Sequence, residues 1–173
     1  MPNVTVRGDL STPENFLATV QAESACWKTY LEYFDILDRR QPAQLAADCF
    51  TEAAHIAYDM KGAPLTFNTR SEYASFLVEA TAAHEMTAHV VGQHLFVWTE
   101  GKPRLYSYVT SWQWFAANSA AGSNRPADFV TIGRAQDDFE LVSGKWLISN
   151  RVVAPVAGLT AIGVAPSFGQ AQS

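Results

Sequence analysis

From Thr87 to Val153 the apolar residues stop recurring every three or four positions and begin to alternate. This constrains the fold more than any other feature of the chain, because a period of two suits a pleated strand and not a helix. His89, Val91, Gln93, Leu95 and Val97 share one face of the first alternating run, and Val90, His94, Phe96 and Trp98 share the other. Thr99-Glu100-Gly101-Lys102 reads as a hairpin turn into Arg104 to Phe115, where Tyr106, Tyr108, Thr110, Trp112 and Trp114 alternate with smaller or more polar residues. Past an Ala, Ser, Asn and Gly loop, Phe129 to Leu141 and Trp146 to Val153 form two more strands joined at Ser143-Gly144.

Helical signals come first in the chain. Thr12 and Pro13 supply an N-cap and a proline at the first helical position, and Phe16, Leu17, Val20, Trp27, Tyr30, Leu31 and Phe34 follow at helical spacing. Asp38 stands four residues beyond Phe34, so a carboxylate extends the apolar stripe. Leu45, Cys49 and Phe50 mark a second short helix, and His55 to Asp59 a short strand leading to a turn at Lys61-Gly62. Thr69 and Glu72 fit a capping box for a third helix carrying Tyr73, Phe76, Leu77 and Ala80. Helices followed by a long antiparallel run define an α+β domain whose curved sheet wraps against helices and leaves a concave pocket.

At 173 residues, 48% of them hydrophobic, the chain has material for one domain. We expect an arm over residues 1–11, the domain over 12–153 and an uncharged tail over 154–173. A charged fraction of 17% is low for a soluble surface and points to a partner subunit. The net charge of -5 has the wrong sign for nucleic acid. Cys26 and Cys49 form no CxxC clamp, no run is long enough to span a membrane, and the N-terminus lacks a signal-peptide pattern. These features predict a cytoplasmic protein. The absence of GxGxxG, P-loop and GxSxG motifs predicts no nucleotide cofactor and no serine nucleophile.

His84, His89 and His94 recur every five residues, but an odd separation along a regular strand sends neighbours to opposite faces, so no metal site is expected. Asp38 and His89 both fall on faces that should be buried, where each costs least if it satisfies the other. Such a pair either ties helix to sheet or makes a base: a carboxylate on one imidazole nitrogen raises the basicity of the other. Tyr30, Phe34, Trp112 and Trp114 offer stacking faces for a flat ring substrate. Arg134 and Arg151 either bind an anion or oxyanion in the pocket or pair with Asp137, Asp138 or Glu140 on its rim.

The segment Leu37-Asp38-Arg39-Arg40-Gln41, the strand Thr87-Ala88-His89-Val90-Val91 and Gly144-Lys145-Trp146 resemble SnoaL-like proteins of the nuclear transport factor 2-like superfamily over about residues 22 to 153. Within it they are similar to the scytalone dehydratases and lindane dehydrochlorinases. The resemblance implies a cone-shaped α+β barrel and a cofactor-independent lyase with Asp38 and His89 as catalytic residues. It also implies a tyrosine at Tyr58 acting on the substrate oxygen through water, and a homotrimer in which the tail covers the pocket or a neighbour. Members that release formaldehyde from lignin-derived aromatics, isomerases, cyclases and non-catalytic binding domains share the fold. The family's Gly-Arg-Tyr is here Gly133-Arg134-Ala135, which predicts a wider or reshaped pocket, and the dehydratases' second histidine, expected near Val130, is missing.

Overall fold

The structure, a computed structural model, describes residues 10–59, 64–121 and 124–159. Its elements are α1 (Pro13–Asp38), α2 (Pro42–Cys49), β1 (Phe50–Tyr58), β2 (Leu65–Phe67), α3 (Arg70–Ala80), β3 (His84–Thr99), β4 (Lys102–Phe115), a 3-10 turn (Ala116–Ala121), β5 (Phe129–Val142) and β6 (Lys145–Leu159). The six strands form one curved, unclosed sheet in the order β2-β1-β6-β5-β4-β3. β1 runs parallel to β6, and every other pairing is antiparallel. That parallel pair follows from α1 and α2 preceding β1: the chain reaches β6 only after the whole meander, and then runs alongside β1 in the same sense.

Local signals explain the boundaries. The Thr12 side chain accepts a hydrogen bond from the Asn15 amide, and Thr69 accepts one from Glu72, so both helices start where a side-chain oxygen satisfies a free N–H. Glu72 in return accepts from the Asn68 amide. The two tight hairpins place Glu100-Gly101 and Ser143-Gly144 at positive φ, the turn geometry that matches strand twist.

Three boundaries depart from the sequence reading. Phe50 opens β1 instead of closing the second helix, so the strand begins five residues earlier than expected. β2, only three residues long, carried no detectable alternation. β6 continues through Leu159, pairing Thr131 with Gly158 and Val130 with Leu159, so the first part of the expected tail belongs to the sheet. The arm up to residue 9, the Lys61-Gly62 turn and the chain beyond residue 159 lie outside the described residues.

The core sits between the middle of α1 and the inner sheet face. Cys26, Tyr30 and Tyr33 pack there with Phe50, Ile56, Leu105, Phe139 and Ile148, all essentially inaccessible to solvent. Past this plug the last turns of α1 run along an open volume, and that is where the chemistry-bearing side chains gather.

Candidate active site

A cavity of about 460 Å³ lies between the C-terminal part of α1, α3 and the inner faces of β3 to β6. That size suits a small organic ligand. Its walls are mostly apolar, with Phe34, Leu37, Phe76, Val109 and Phe129 among them, and Arg151 is the one permanently charged side chain among its described lining residues. Ala135 is buried at the wall.

Asp38 is the last residue of α1. The chain turns at Arg40, whose φ of 55° is left-handed, and the Arg40 guanidinium donates to the His84 carbonyl at 2.6 Å, stitching the helix end to β3. This brings Asp38 against His89. Asp38 Oδ1 accepts from His89 Nδ1 at 2.6 Å and from the Thr87 hydroxyl at 2.8 Å, while Oδ2 accepts from the His89 amide at 3.1 Å. Three donors converge on the carboxylate, which fixes its orientation. Nδ1 of His89 therefore donates to the carboxylate, and Nε2 is the ring nitrogen left to exchange a proton with the cavity. His89 lines the cavity and Asp38 stands behind it; their side chains are 11% and 28% exposed.

Tyr58 lines the cavity from β1, the strand that curvature brings round to face β3. Its hydroxyl bonds that of Tyr73 at 2.7 Å, and Tyr73 bonds Tyr33 at 2.6 Å. Three hydroxyls sharing two hydrogen bonds leave one O–H to donate, and when Tyr73 donates to one neighbour and accepts from the other it belongs to Tyr58 or Tyr33. Both line the cavity. Burial raises the pKa of Tyr33 and Tyr73 well above the phenol range, so these hydroxyls hold their protons. Tyr73 carried no signal in the sequence beyond its place on a helix face.

Arg151 is a buried member of the site. It donates to Asp137 at 2.7 Å, lies 4.2 Å from the Tyr33 ring centroid, and is 3% exposed against 0% for Asp137. Of the two fates open to it, it takes the pairing, with one of the three candidate carboxylates, but buried beneath the cavity and not on its rim. Arg151 Nε and Asp137 Oδ2 have no hydrogen-bond partner, and burial pushes the Asp137 carboxyl up to about 6 against the pull of the guanidinium.

Of the expected substrate-stacking residues, Phe34 lines the cavity and the others do not. Tyr30 is fully buried in the core with its hydroxyl on Ser107. Trp112 and Trp114 share the outer face of β4 with Tyr106 and Tyr108, because the inner positions are Leu105, Ser107, Val109, Ser111 and Gln113. The physical reason is volume: a cavity opens where inward side chains are small, and large rings on the same strand then face away. Arg134 is exposed on the outer face, its guanidinium 5.5 Å from the Tyr106 centroid.

The opposite-face argument about the histidines also fails. A bulge between Val91 and His94 restores inward orientation, so His94 pairs across from the inward Ser107 and His89 across from the inward Ser111. The His94 ring, however, is stacked on Trp27 at 4.1 Å. Among the described residues no group of His, Cys, Asp or Glu side chains is placed to hold a metal ion. Cys26 and Cys49 are buried, their thiols pushed up to about 12, which leaves no thiolate nucleophile. No described helix is long and apolar enough to cross a membrane.

No curated protein matches the sequence. Solved structures do match the fold. Kfla4162 of Kribbella flavida superposes with a TM-score of 0.69 at 16% identity, covering 80% of this chain and 93% of its own. A scytalone dehydratase-like protein of Novosphingobium aromaticivorans gives 0.68 at 18% identity, covering 93% and 100%. A hexachlorocyclohexane dehydrochlorinase of Novosphingobium barchaimii gives 0.66 at 17%, covering 87% and 99%. At such identities the likeness establishes the architecture. The sequence itself matches the SnoaL-like domain over residues 18–152, so the chain belongs to the SnoaL-like family of the nuclear transport factor 2-like superfamily.

Proposed function

We propose that the protein is a lyase that takes a proton from carbon and expels a small group such as water from a cyclic or aromatic substrate. One observation carries the reading: a histidine whose proton-bearing nitrogen is held by a three-bonded carboxylate, with its other nitrogen available at an apolar cavity. His89 Nε2 accepts the proton, and Asp38 stabilises the imidazolium that results. The C–H electron pair moves into the substrate, and the bond to the leaving group breaks as the new double bond forms. The spare hydroxyl of the Tyr58-Tyr73-Tyr33 chain donates to the substrate oxygen as it gains charge. His89 then returns its proton to the departing group, so the protein ends as it began.

The dehydratase-like and dehydrochlorinase relatives support this class of chemistry. A panel of hydroxylated cyclic ketones tests it. Each turned-over substrate should yield a product lighter by one small molecule, and His89→Ala should stop the reaction. A product of unchanged mass would make the protein an isomerase or cyclase on the same base, and tight binding without turnover across the panel would make it a binding domain. The outer sheet face, with Val90 and Tyr108 exposed beside Trp112 and Trp114, supports association with further copies of the chain, and light scattering tests whether the assembly is the homotrimer that the family resemblance implies.

A further inference from the structure

The cavity has polar side chains for which this chemistry has no use. His84, Ser111 and Gln113 all line it, each only 8% exposed, and His84 Nδ1, Ser111 Oγ and Gln113 Oε1 have no partner in good hydrogen-bond geometry, the His84 and Gln113 side chains lying close enough to influence each other. An unpaired buried polar atom is costly and rare enough to need a reason. Here three neighbours share the feature at one end of one cavity.

Strand register shows which end. The row through Tyr58 crosses Val153 and Ala135 and reaches β4 at Ser107. The row through His89 reaches β4 at Ser111, and Gln113 lies one inward position further on, across from Thr87. The second bulge of β3, between His84 and Met86, keeps His84 on the inner side as well. The base therefore lies between two polar poles, with the tyrosine hydroxyls on one side and His84 with Gln113 on the other. Pattern reading could not see this, because regular alternation puts His84 on the face opposite Thr87 and His89, and only the bulge at Glu85 brings it round to theirs.

The second pole is uncharged. Burial lowers the pKa of His84, hydrogen bonding to the Gln113 side chain opposes it, and Arg40 and His89 act in the same direction as burial. An imidazole, a carboxamide and a hydroxyl offer both donors and acceptors with no formal charge, and a group that donates and accepts in turn matches them. We infer that His84 and Gln113, with Ser111 beside the base, form a second recognition site that binds a neutral hydroxyl on a ring substrate, at the end remote from the oxygen held by Tyr58. The inference rests on the reading of this cavity as the substrate site, and it adds that the substrate is polar at both ends.

Equilibrium binding to the full chain, followed by calorimetry, tests it without any turnover. The probes are 2-naphthol, with one hydroxyl, 2,6-dihydroxynaphthalene, with a hydroxyl at each end, and 6-hydroxy-2-naphthoate, with an anion in place of the second. The diol should bind about tenfold more tightly than 2-naphthol, and the naphthoate should gain nothing over 2-naphthol. In Gln113→Leu the diol's advantage over 2-naphthol should fall to about threefold or less. His84→Phe should do the same; if it does not fold, the wild-type ratio and Gln113→Leu decide. Equal affinity for the two naphthols in the wild type, an advantage unchanged in Gln113→Leu, or preference for the naphthoate each overturns the second site. None of these results bears on whether His89 is the base, which the turnover experiment decides separately.

Discussion

Two acid-cation pairs border the same cavity, and they are built in opposite ways. Asp38 has three donors and a partly exposed side chain, and its partner can gain or lose a proton. Asp137 has one donor from a guanidinium that cannot give up its proton, no exposure, and an oxygen left unpaired. The first pair can change charge during a reaction at small structural cost. In the second, the guanidinium holds its charge while the site around it works. A buried ion pair is thus no guide to catalysis by itself; what separates the two is whether the cation can exchange a proton with something in the cavity.

Disrupting each pair should expose the difference, and the largest effect falls on the first. His89→Ala should abolish measurable turnover, and Asp38→Asn should reduce it at least about a hundredfold, with the melting temperature little changed in either. If both variants keep near-normal rates, or both fail to fold, the pair is a structural tie between helix and sheet. Arg151→Met should behave in the reverse manner. It leaves Asp137 buried without a partner, a loss of about 3–5 kcal/mol in stability, so calorimetry should show a melting temperature lower by about 10 °C. An Arg151→Met protein as stable as the wild type would show that the pair contributes nothing net.

Tyr58 tests the third corner of the cavity with a smaller expected effect. Removing the hydroxyl in Tyr58→Phe shortens the donor chain to Tyr73 and Tyr33, which can still offer one O–H from the Tyr33 end. If Tyr58 is the donor to the developing charge, kcat should fall roughly tenfold to a thousandfold with KM and stability nearly unchanged. If Tyr33 serves instead, Tyr58→Phe keeps its kcat and Tyr33→Phe loses it.

The sequence made the helices and hairpins legible because each carried its own punctuation: Thr12 with Pro13, Thr69 with Glu72, Glu100-Gly101, Ser143-Gly144. The Asp38-His89 juxtaposition was legible too, since both positions sat on faces that had to be buried. What could not be read were features set by the whole sheet. Two bulges in β3 shift the parity of a strand that looks regular, so His94 faces inward and His84 joins the cavity. The aromatic run of β4 suggested a pocket wall, but side-chain size alone does not say which face of a sheet is hollow. Arg151 was equally ambiguous, because burial of the Asp137 pair depends on Tyr33 and Phe34 closing over it.

The finest test of the comparison is the pH dependence of stability, where Asp137 should leave its own mark. Burial raises its folded pKa to about 6, whereas the unfolded carboxyl titrates near 3.8. Between those values the folded chain binds the proton that the unfolded chain has lost, so this group makes stability fall as pH rises from about 4 to about 6. Most carboxylates in good hydrogen bonds act in the opposite sense. The contribution is isolated by subtraction: melting temperatures of wild type and Asp137→Asn are measured across that window, and the wild type should lose ground to the variant as pH rises. Since Arg151 attracts the ionised form, the sign of this difference measures which influence wins. A wild type that gains on Asp137→Asn across the window would mean that attraction outweighs burial, and that the buried pair is electrostatically closer to the Asp38 pair than its isolation suggests.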